Sequence, residues 1–271
     1  MTGLAKCYRT FVTKASFTPE RFGQDRPEGA RVPGSEIRDG KVAGGGAVNA
    51  TRPACENIDP LSPVISDKDT PMTDLRPTEP GTVDAIAYQR ASSALQREFA
   101  LLQRRVYPEP DEPEDAEAAP LHAPVFDTFS FYICAPDRVL SYAAVAMKTI
   151  EHAGHTFDIA GLSCVMTDPA CQGQGLGLRT VAAATRCMEH SNLDIGVFTC
   201  DPPLARFYAR AGGWPIAPDV VLIGNRHEMA LRSDTLGKVV LLRLFSPKAI
   251  AAASALTRGT IDLDLPDGQF L

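Results

Sequence analysis

The sequence predicts a mixed α/β (α+β) fold, a mainly antiparallel sheet flanked by helices, and three observations carry that prediction. Three strand-like runs follow one another between Phe126 and Thr167, separated only by short turns. A glycine-studded turn then leads into a run whose apolar residues repeat with a helical period. Beyond it, short apolar strands alternate with a second short helix, so a helical crossover joins an antiparallel half to the rest of the sheet.

Taken in order, Met1 to Pro71 is rich in Gly, Pro, Ser, Thr and mixed charge and holds no sustained period, so residues 1–71 read as a disordered leader. Met72 stands where ordered pattern begins, which makes an over-extended translation start one account of the leader. The Arg9-bearing opening suggests a targeting presequence, and Glu20, Asp25 and Glu28 argue against it. Residues 72–246 are expected to form the folded domain. In it, Val83, Ile86, Ala87, Ala91, Ala94, Leu95, Phe99 and Leu102 recur at three- and four-residue steps, predicting a helix from Thr82 to Arg105 closed by Tyr107-Pro108. Glu109 to Pro120 is an acidic, proline-rich loop or linker.

Strands are expected over Phe126–Cys134, Val139–Ile150 and His155–Thr167, with turns at Pro136-Asp137 and Ala153-Gly154. Leu178, Val181, Ala182, Thr185 and Met188 share one face of a helix from Gly177 to His190. Asp194–Cys200 reads as a strand and Pro203–Ala211 as a short helix. Val220–Gly224 and Val239–Phe245 read as a final strand pair, and residues 247–271 as a polar tail or extension ending in Gly268-Gln269-Phe270-Leu271.

With 271 residues, 44% of them hydrophobic, the chain can hold one good-sized core. A net charge of -6 supplies no global field to gather nucleic acid or an anionic membrane, and no apolar run is long enough to span one. The seven cysteines form no C-x-x-C pair, so neither a disulfide framework nor a metal site is predicted, and a reducing cytoplasmic setting fits.

The most informative stretch is Val165-Met166-Thr167-Asp168-Pro169-Ala170-Cys171-Gln172-Gly173-Gln174-Gly175-Leu176-Gly177. A strand runs into three alternate glycines and then a helix. Glycines there let main-chain N–H groups face a ligand, and the helix start adds unpaired donors and positive dipole, a cradle for phosphate or pyrophosphate. The plain alternative is a tight strand-to-helix turn. A P-loop would need Lys-Ser/Thr after the glycines, and a dinucleotide loop would need Gly or Ala where Leu178 or Thr180 stands.

The segment closely resembles the coenzyme A loop of the GNAT N-acetyltransferase superfamily, Gln/Arg-x-x-Gly-x-Gly/Ala, here Gln172-Gly173-Gln174-Gly175-Leu176-Gly177, with Pro169 upstream. A second run, Asp201 through Tyr208 to Trp214, is similar to that family's Asn…Tyr…Gly-Phe/Trp run, with Asp in place of Asn and one extra residue before Trp214. The resemblance spans about Thr82 to Phe245 and implies a splayed strand pair that binds acetyl-coenzyme A as co-substrate. It implies that main-chain groups of Val165, Met166 and Thr167 hold the acetyl-pantetheine arm. The amides of Gln172, Gly173, Gln174, Gly175, Leu176, Gly177 and Leu178 would hold the pyrophosphate, with Arg179 within reach of a phosphate. It implies that Val165 N–H serves as oxyanion donor and that Tyr208, at an ordinary phenol pKa near 10, protonates the departing thiolate. Asp201 takes the place of a cofactor-contacting Asn and suits a helix N-cap.

Ser163 occupies the position where many relatives carry a catalytic glutamate, and Glu151, His152, His155 and Asp158 on the adjoining hairpin are alternative proton relays. Cys164, Cys171 and Cys200 surround the site, where an acyl-cysteine route competes with a role as small buried hydrophobes. The expected reaction is direct attack by a small-molecule primary amine, aminoglycoside- or polyamine-like, with a loose likeness to aminoglycoside 2'-N-acetyltransferases. The rivals are a protein or peptide N-acetyltransferase, a catalytically silent acyl-coenzyme A binding module and, further off, a dinucleotide oxidoreductase. A homodimer is compatible with the sequence.

Overall fold

The computed structural model describes residues 81–108, 120–122 and 125–271; the expected leader over residues 1–71 and most of the acidic loop lie outside them. The main sheet has six strands in the order β1-β2-β3-β4-β5-β7. These are β1 (Asp84–Ala87), β2 (Asp127–Cys134), β3 (Val139–His152), β4 (His155–Thr167), β5 (Ile195–Cys200) and β7 (Val239–Leu244). Only the β4–β5 pairing is parallel, and α2 (Leu176–Glu189) supplies its crossover.

The helix expected from Thr82 starts later, as α1 (Ser93–Val106). Ser92 caps it by accepting from Leu95 N–H at 3.2 Å, and Leu95, Phe99 and Leu102 form its buried stripe. Asp84–Ala87 instead pairs antiparallel with Phe129–Tyr132 of β2. The apolar residues Ile86 and Ala87 satisfy a helical period on paper, but the open edge of β2 offers their backbone a ladder of hydrogen bonds.

The β3–β4 hairpin turns through Ala153 and Gly154, both at positive φ, as a two-residue loop of primed type requires. Strand β3 is buried almost continuously from Val139 to Ala146 because helices cover both faces of the sheet. On one face α2 and α3 (Ala205–Gly212) pack over Phe131, Val145, Leu162 and Phe198, with Trp214 sealing the edge. On the other face α1 covers Tyr142, Ala144, Cys164 and Met166.

Two expectations about the last third of the chain are corrected. β6 (Val220–Ile223) does not pair with β7; it pairs in parallel with β8 (Gly259–Asp262) in a separate two-stranded sheet. The outer edge of β7 is already occupied: Ala217 N–H donates to Val240 O at 2.9 Å and Leu242 N–H to Pro215 O at 3.2 Å. Residues 247–271 are not a polar tail. They form α4 (Pro247–Ala251), α5 (Ala253–Leu256), β8 and a strap in which Ile261, Leu263, Leu265, Phe270 and Leu271 are buried against Phe157, Ile159 and Val197. The alternation of Ile261, Leu263 and Leu265 with Asp262 and Asp264 is itself a strand signal. Among the described residues no helix is long and apolar enough to cross a membrane.

Candidate functional site

Strands β4 and β5 touch through only two register pairs, Ile159–Ile195 and Ala160–Gly196. Beyond Gly161 they part, β5 remaining paired to β7 and β4 to β3, so the predicted splay is present. Its closed end is fastened by Asp194. That carboxylate accepts from Ser246 Oγ at 2.6 Å and Asp158 N–H at 2.9 Å and pairs with Lys248 Nζ at 2.6 Å. Burial pushes the Asp194 pKa up, but these donors prevail and hold it below the ordinary carboxylate value.

At the open end β4 carries one extra residue. Tyr142 pairs with Met166 and Ala144 with Ser163, so two steps on β3 face three on β4. The bulge falls at Cys164, whose φ is +49°. Such a bulge takes main-chain groups out of the ladder and re-aims them, here at Cys164 and Val165. Cys164 lies on the α1 face and Val165 packs on the α2 face.

The loop after β4 is anchored from behind. Asp168, almost wholly buried, accepts from Ala170 N–H at 3.0 Å and pairs with Arg105 at 3.0 Å and Arg138 at 3.6 Å. Its three glycines do different jobs. Gly173 and Gly175 have φ of +78° and +77°, and a Cβ on either would meet nothing within 4 Å, so open space stands beside the backbone. A Cβ on Gly177 would come within 2.9 Å of Thr167 Oγ1, so this glycine serves helix–strand contact. The first intrahelical bond of α2 runs from Arg179 N–H to Gly175 O at 3.1 Å. The amides of Leu176, Gly177 and Leu178 therefore precede the ladder, and the N-cap Gly175 has no side chain to accept from them.

The other predicted residues fall as follows. Met166 is buried under α1, and its carbonyl accepts from Ser141 Oγ at 3.2 Å. Thr167 Oγ1 is hydrogen-bonded to Ser141 Oγ, and its carbonyl accepts from Gln172 Nε2 at 3.4 Å. Gln172, Gly173 and Gln174 are exposed, Leu178 is half-buried and Leu176 is turned inward. Arg179 does not point to the loop; it donates to Gly81 O. Ser163 Oγ faces Cys164 Sγ at 3.6 Å.

The hairpin group is at the wrong end. From His155 to the bulge is about 30 Å along β4 at roughly 3.3 Å per residue. Glu151 accepts from Thr156, Asp158 accepts from Thr149, and the His152 ring is hydrogen-bonded to Ala255 O. None of them relays a proton to the bulge.

Tyr208 is buried on α3, its ring edge-on to Phe198 and Phe207. Its pKa is not the ordinary one: burial, then the neighbouring Cys200, Tyr107 and Asp201, push it well up. Tyr107, which the sequence reading used only to end a helix, stands on the α1 side, and burial with Cys164 and Asp201 pushes its phenol up to about 12. Burial likewise raises Cys200 to about 12, so it is no nucleophile at neutral pH. Asp201 occupies the N-cap position of the short turn Pro202–Leu204, but its side chain makes no cap bond and the carboxylate pairs instead with Lys238 Nζ at 2.6 Å. A full charge outcompetes an amide as donor. Lys238 is thus a member of this site for which sequence spacing gives no signal.

No protein-family model matches the sequence, and no curated protein matches it. Among solved structures the chain is similar to the GNAT family N-acetyltransferase YhbS from Escherichia coli in complex with CoA, at 16% identity and a TM-score of 0.45. That match covers 67% of this chain and 88% of the other. It is also similar to Escherichia coli ElaA, at 13% identity and a TM-score of 0.41, covering 60% of this chain and 98% of that one. An acyl-CoA N-acyltransferase from Pseudomonas aeruginosa is similar at 17% identity and a TM-score of 0.40, with the same coverages.

Proposed function

We propose that the chain is a GNAT-type N-acetyltransferase that uses acetyl-coenzyme A to acetylate a primary amine of a small molecule by direct attack. The observation that carries this reading is a coincidence at one end of β4. A bulge with Cys164 at positive φ, the parting from β5, and a positive-φ glycine loop feeding an uncapped helix all occur there. Gly173 and Gly175 leave the space a pyrophosphate needs, and the amides of Leu176, Gly177 and Leu178 are donors for it. An acyl-coenzyme A supplies an activated thioester with a thiolate as its leaving group.

The residues then have separable tasks. The open V receives the pantetheine arm along Val165 to Thr167, and the Val165 amide is the oxyanion donor. Tyr208, with its raised pKa, stays protonated throughout the working range. Full proton transfer from it to a thiolate of pKa near 8.5 is uphill, so Tyr208 steadies the leaving sulfur as a hydrogen-bond donor. The buried Cys200 thiol is no nucleophile at neutral pH, which favours direct transfer over an acyl-cysteine. The five free cysteines among the described residues suit a reducing cytoplasm.

Ser163 favours a second reading, a silent acyl-coenzyme A binding module, because no carboxylate stands beside the bulge on β4. One experiment separates the two. The full chain is titrated with acetyl-coenzyme A by calorimetry and then assayed for thiol release with amines, polyamines, aminoglycosides and peptides. Binding with amine-dependent release supports the transferase, and a peptide-only response moves the acceptor class. Binding without release supports the silent module, and no binding removes both.

A further inference from the structure

The apex of the V is filled by a side chain from far along the chain. One residue past the last β4–β5 pair, a Cβ on Gly161 would come within 2.7 Å of Val197 O, so the two backbones nearly touch there. The same position lies 3.3 and 3.5 Å from the two δ-carbons of Leu271. Leu271 is buried in one cluster with Ile159, Ile195 and Val197, and Thr199 Oγ1 on β5 donates to its main-chain oxygen at 2.7 Å.

The strap that delivers it is fixed at several points. Leu265 N–H donates to Gly224 O at 2.6 Å, Asn225 Nδ2 donates to Leu265 O at 2.9 Å, and Gln269 O lies against Gly224. Phe270 is buried beside Leu271. The stop is therefore apolar, held from both sides, and seated where the V narrows to strand contact.

We propose that Leu271 sets the length of acyl group the site accepts, closing the apex so that short chains fit and long ones do not. The inference rests on the acyl-coenzyme A reading above. From the bulge at Cys164 to Gly161 the strand advances about 10 Å at roughly 3.3 Å per residue. Over that stretch β4 and β5 converge on the close Gly161–Val197 approach, so the room for an acyl group running along it ends at Leu271. An acetyl or propionyl group ends well short of the side chain, whereas an octanoyl chain is as long as the room and no narrower at its tip. Burying the longer chain would require Leu271 to leave a packed cluster, and a close-packed apex has no spare volume to give.

The test is binding, independent of any acceptor. Coenzyme A, acetyl-coenzyme A and octanoyl-coenzyme A are titrated calorimetrically into the full chain and into Leu271→Ala, Leu271→Val and Leu271→Met, with thermal midpoints measured alongside. The wild type is expected to bind octanoyl-coenzyme A at least tenfold more weakly than acetyl-coenzyme A. Leu271→Ala brings the two within about threefold, Leu271→Val falls between, and Leu271→Met keeps the discrimination. If Leu271→Ala does not fold, the wild-type ratio and the Leu271→Val shift still decide.

Equal wild-type affinities overturn the proposal. So does discrimination that survives both trimmed variants, even if these change amine affinity, because Leu271 would then be an acceptor wall. Failure of coenzyme A itself to bind removes the cofactor reading, a result distinct from coenzyme A binding without chain-length selection.

Discussion

The two ends of the β4–β5 pair are built from the same kind of strand and behave oppositely. At the closed end, Asp194 gathers donors from β4, from Ser246 at the N-cap of α4 and from Lys248 within α4, and two register pairs hold the backbones together. At the open end the ladder is broken by a bulge, glycines replace side chains, and two buried phenols, Tyr107 and Tyr208, lie near the Asp201–Lys238 pair. The difference is a division of labour. At the closed end side-chain and main-chain polar groups are satisfied by one another, whereas at the open end the amides of Leu176, Gly177 and Leu178 precede the helical ladder with no side-chain cap, the feature on which the proposed binding rests.

Breaking the closed end should cost the most. Asp194→Ala strands Lys248, Ser246 and the Asp158 amide together and is expected to destabilise the fold by about 3 kcal/mol in denaturant titration. A loss below about 1 kcal/mol would mean the latch is ornamental. Tyr208→Phe should do the reverse, leaving the thermal midpoint nearly unchanged while slowing turnover about 100-fold with any amine that works, equivalent to about 2.7 kcal/mol. If stability falls and rate does not, Tyr208 is only a packed aromatic.

Gly196→Ala tests the closed end from the packing side. A Cβ there meets Trp214 at 2.5 Å, so a destabilisation of about 2 kcal/mol is expected. It should widen the gap to Asp194→Ala only slightly, since both loosen the same seam.

Acid should separate the two ends. His122, hydrogen-bonded to Tyr142 at 2.7 Å beneath the wall that carries Cys164, is held neutral by burial, its pKa lowered to about 3. Because the folded value lies below the unfolded one near 6.5, the unfolded chain binds the extra proton between them. Stability is therefore complete above about pH 6.5 and falls as pH drops toward 3, by about 2 kcal/mol at pH 5. Asp194 also has a lowered folded pKa, but as a carboxylate its contribution is kept until the pH falls below about 4. Hydrogen exchange at pH 5 should thus show the α1 wall opening before the latch, and His122→Gln should flatten the slope. The smallest effect is expected of Gly175→Ala, which forces a positive φ on alanine for about 1 kcal/mol and weakens coenzyme A binding by a similar amount.

Legibility followed the range of the interactions. The glycine loop was readable because its chemistry is local: Gly173, Gly175 and the helix start are neighbours in sequence as in space. The strand order from β2 to β5 was readable from apolar alternation and turn residues. The start of α1 was not, because Ile86 and Ala87 fit a helix and an edge strand equally, and only the exposed edge of β2 decides between them. The partner of β6 was hidden by the Pro215–Ala217 segment that takes the edge of β7. Lys238 and Leu271 reach the site across long stretches of chain, so no spacing announces them. Ser163 stands where relatives carry a glutamate and supplies no base, and the relay candidates Glu151, His152, His155 and Asp158 lie toward the closed end, because adjacency in the hairpin sequence does not tell which end of a long strand faces the gap.

The proposed chemistry requires an acyl-coenzyme A to sit at the open end of the V. Hydrogen exchange of the full chain with and without saturating acetyl-coenzyme A tests this most directly. Protection is predicted over residues 163–178 and 200–208, with no change at Asp194–Gly196 or Ser246–Lys248, which are already closed by protein. Protection at the latch with none along the glycine loop, or no protection at all, would contradict it.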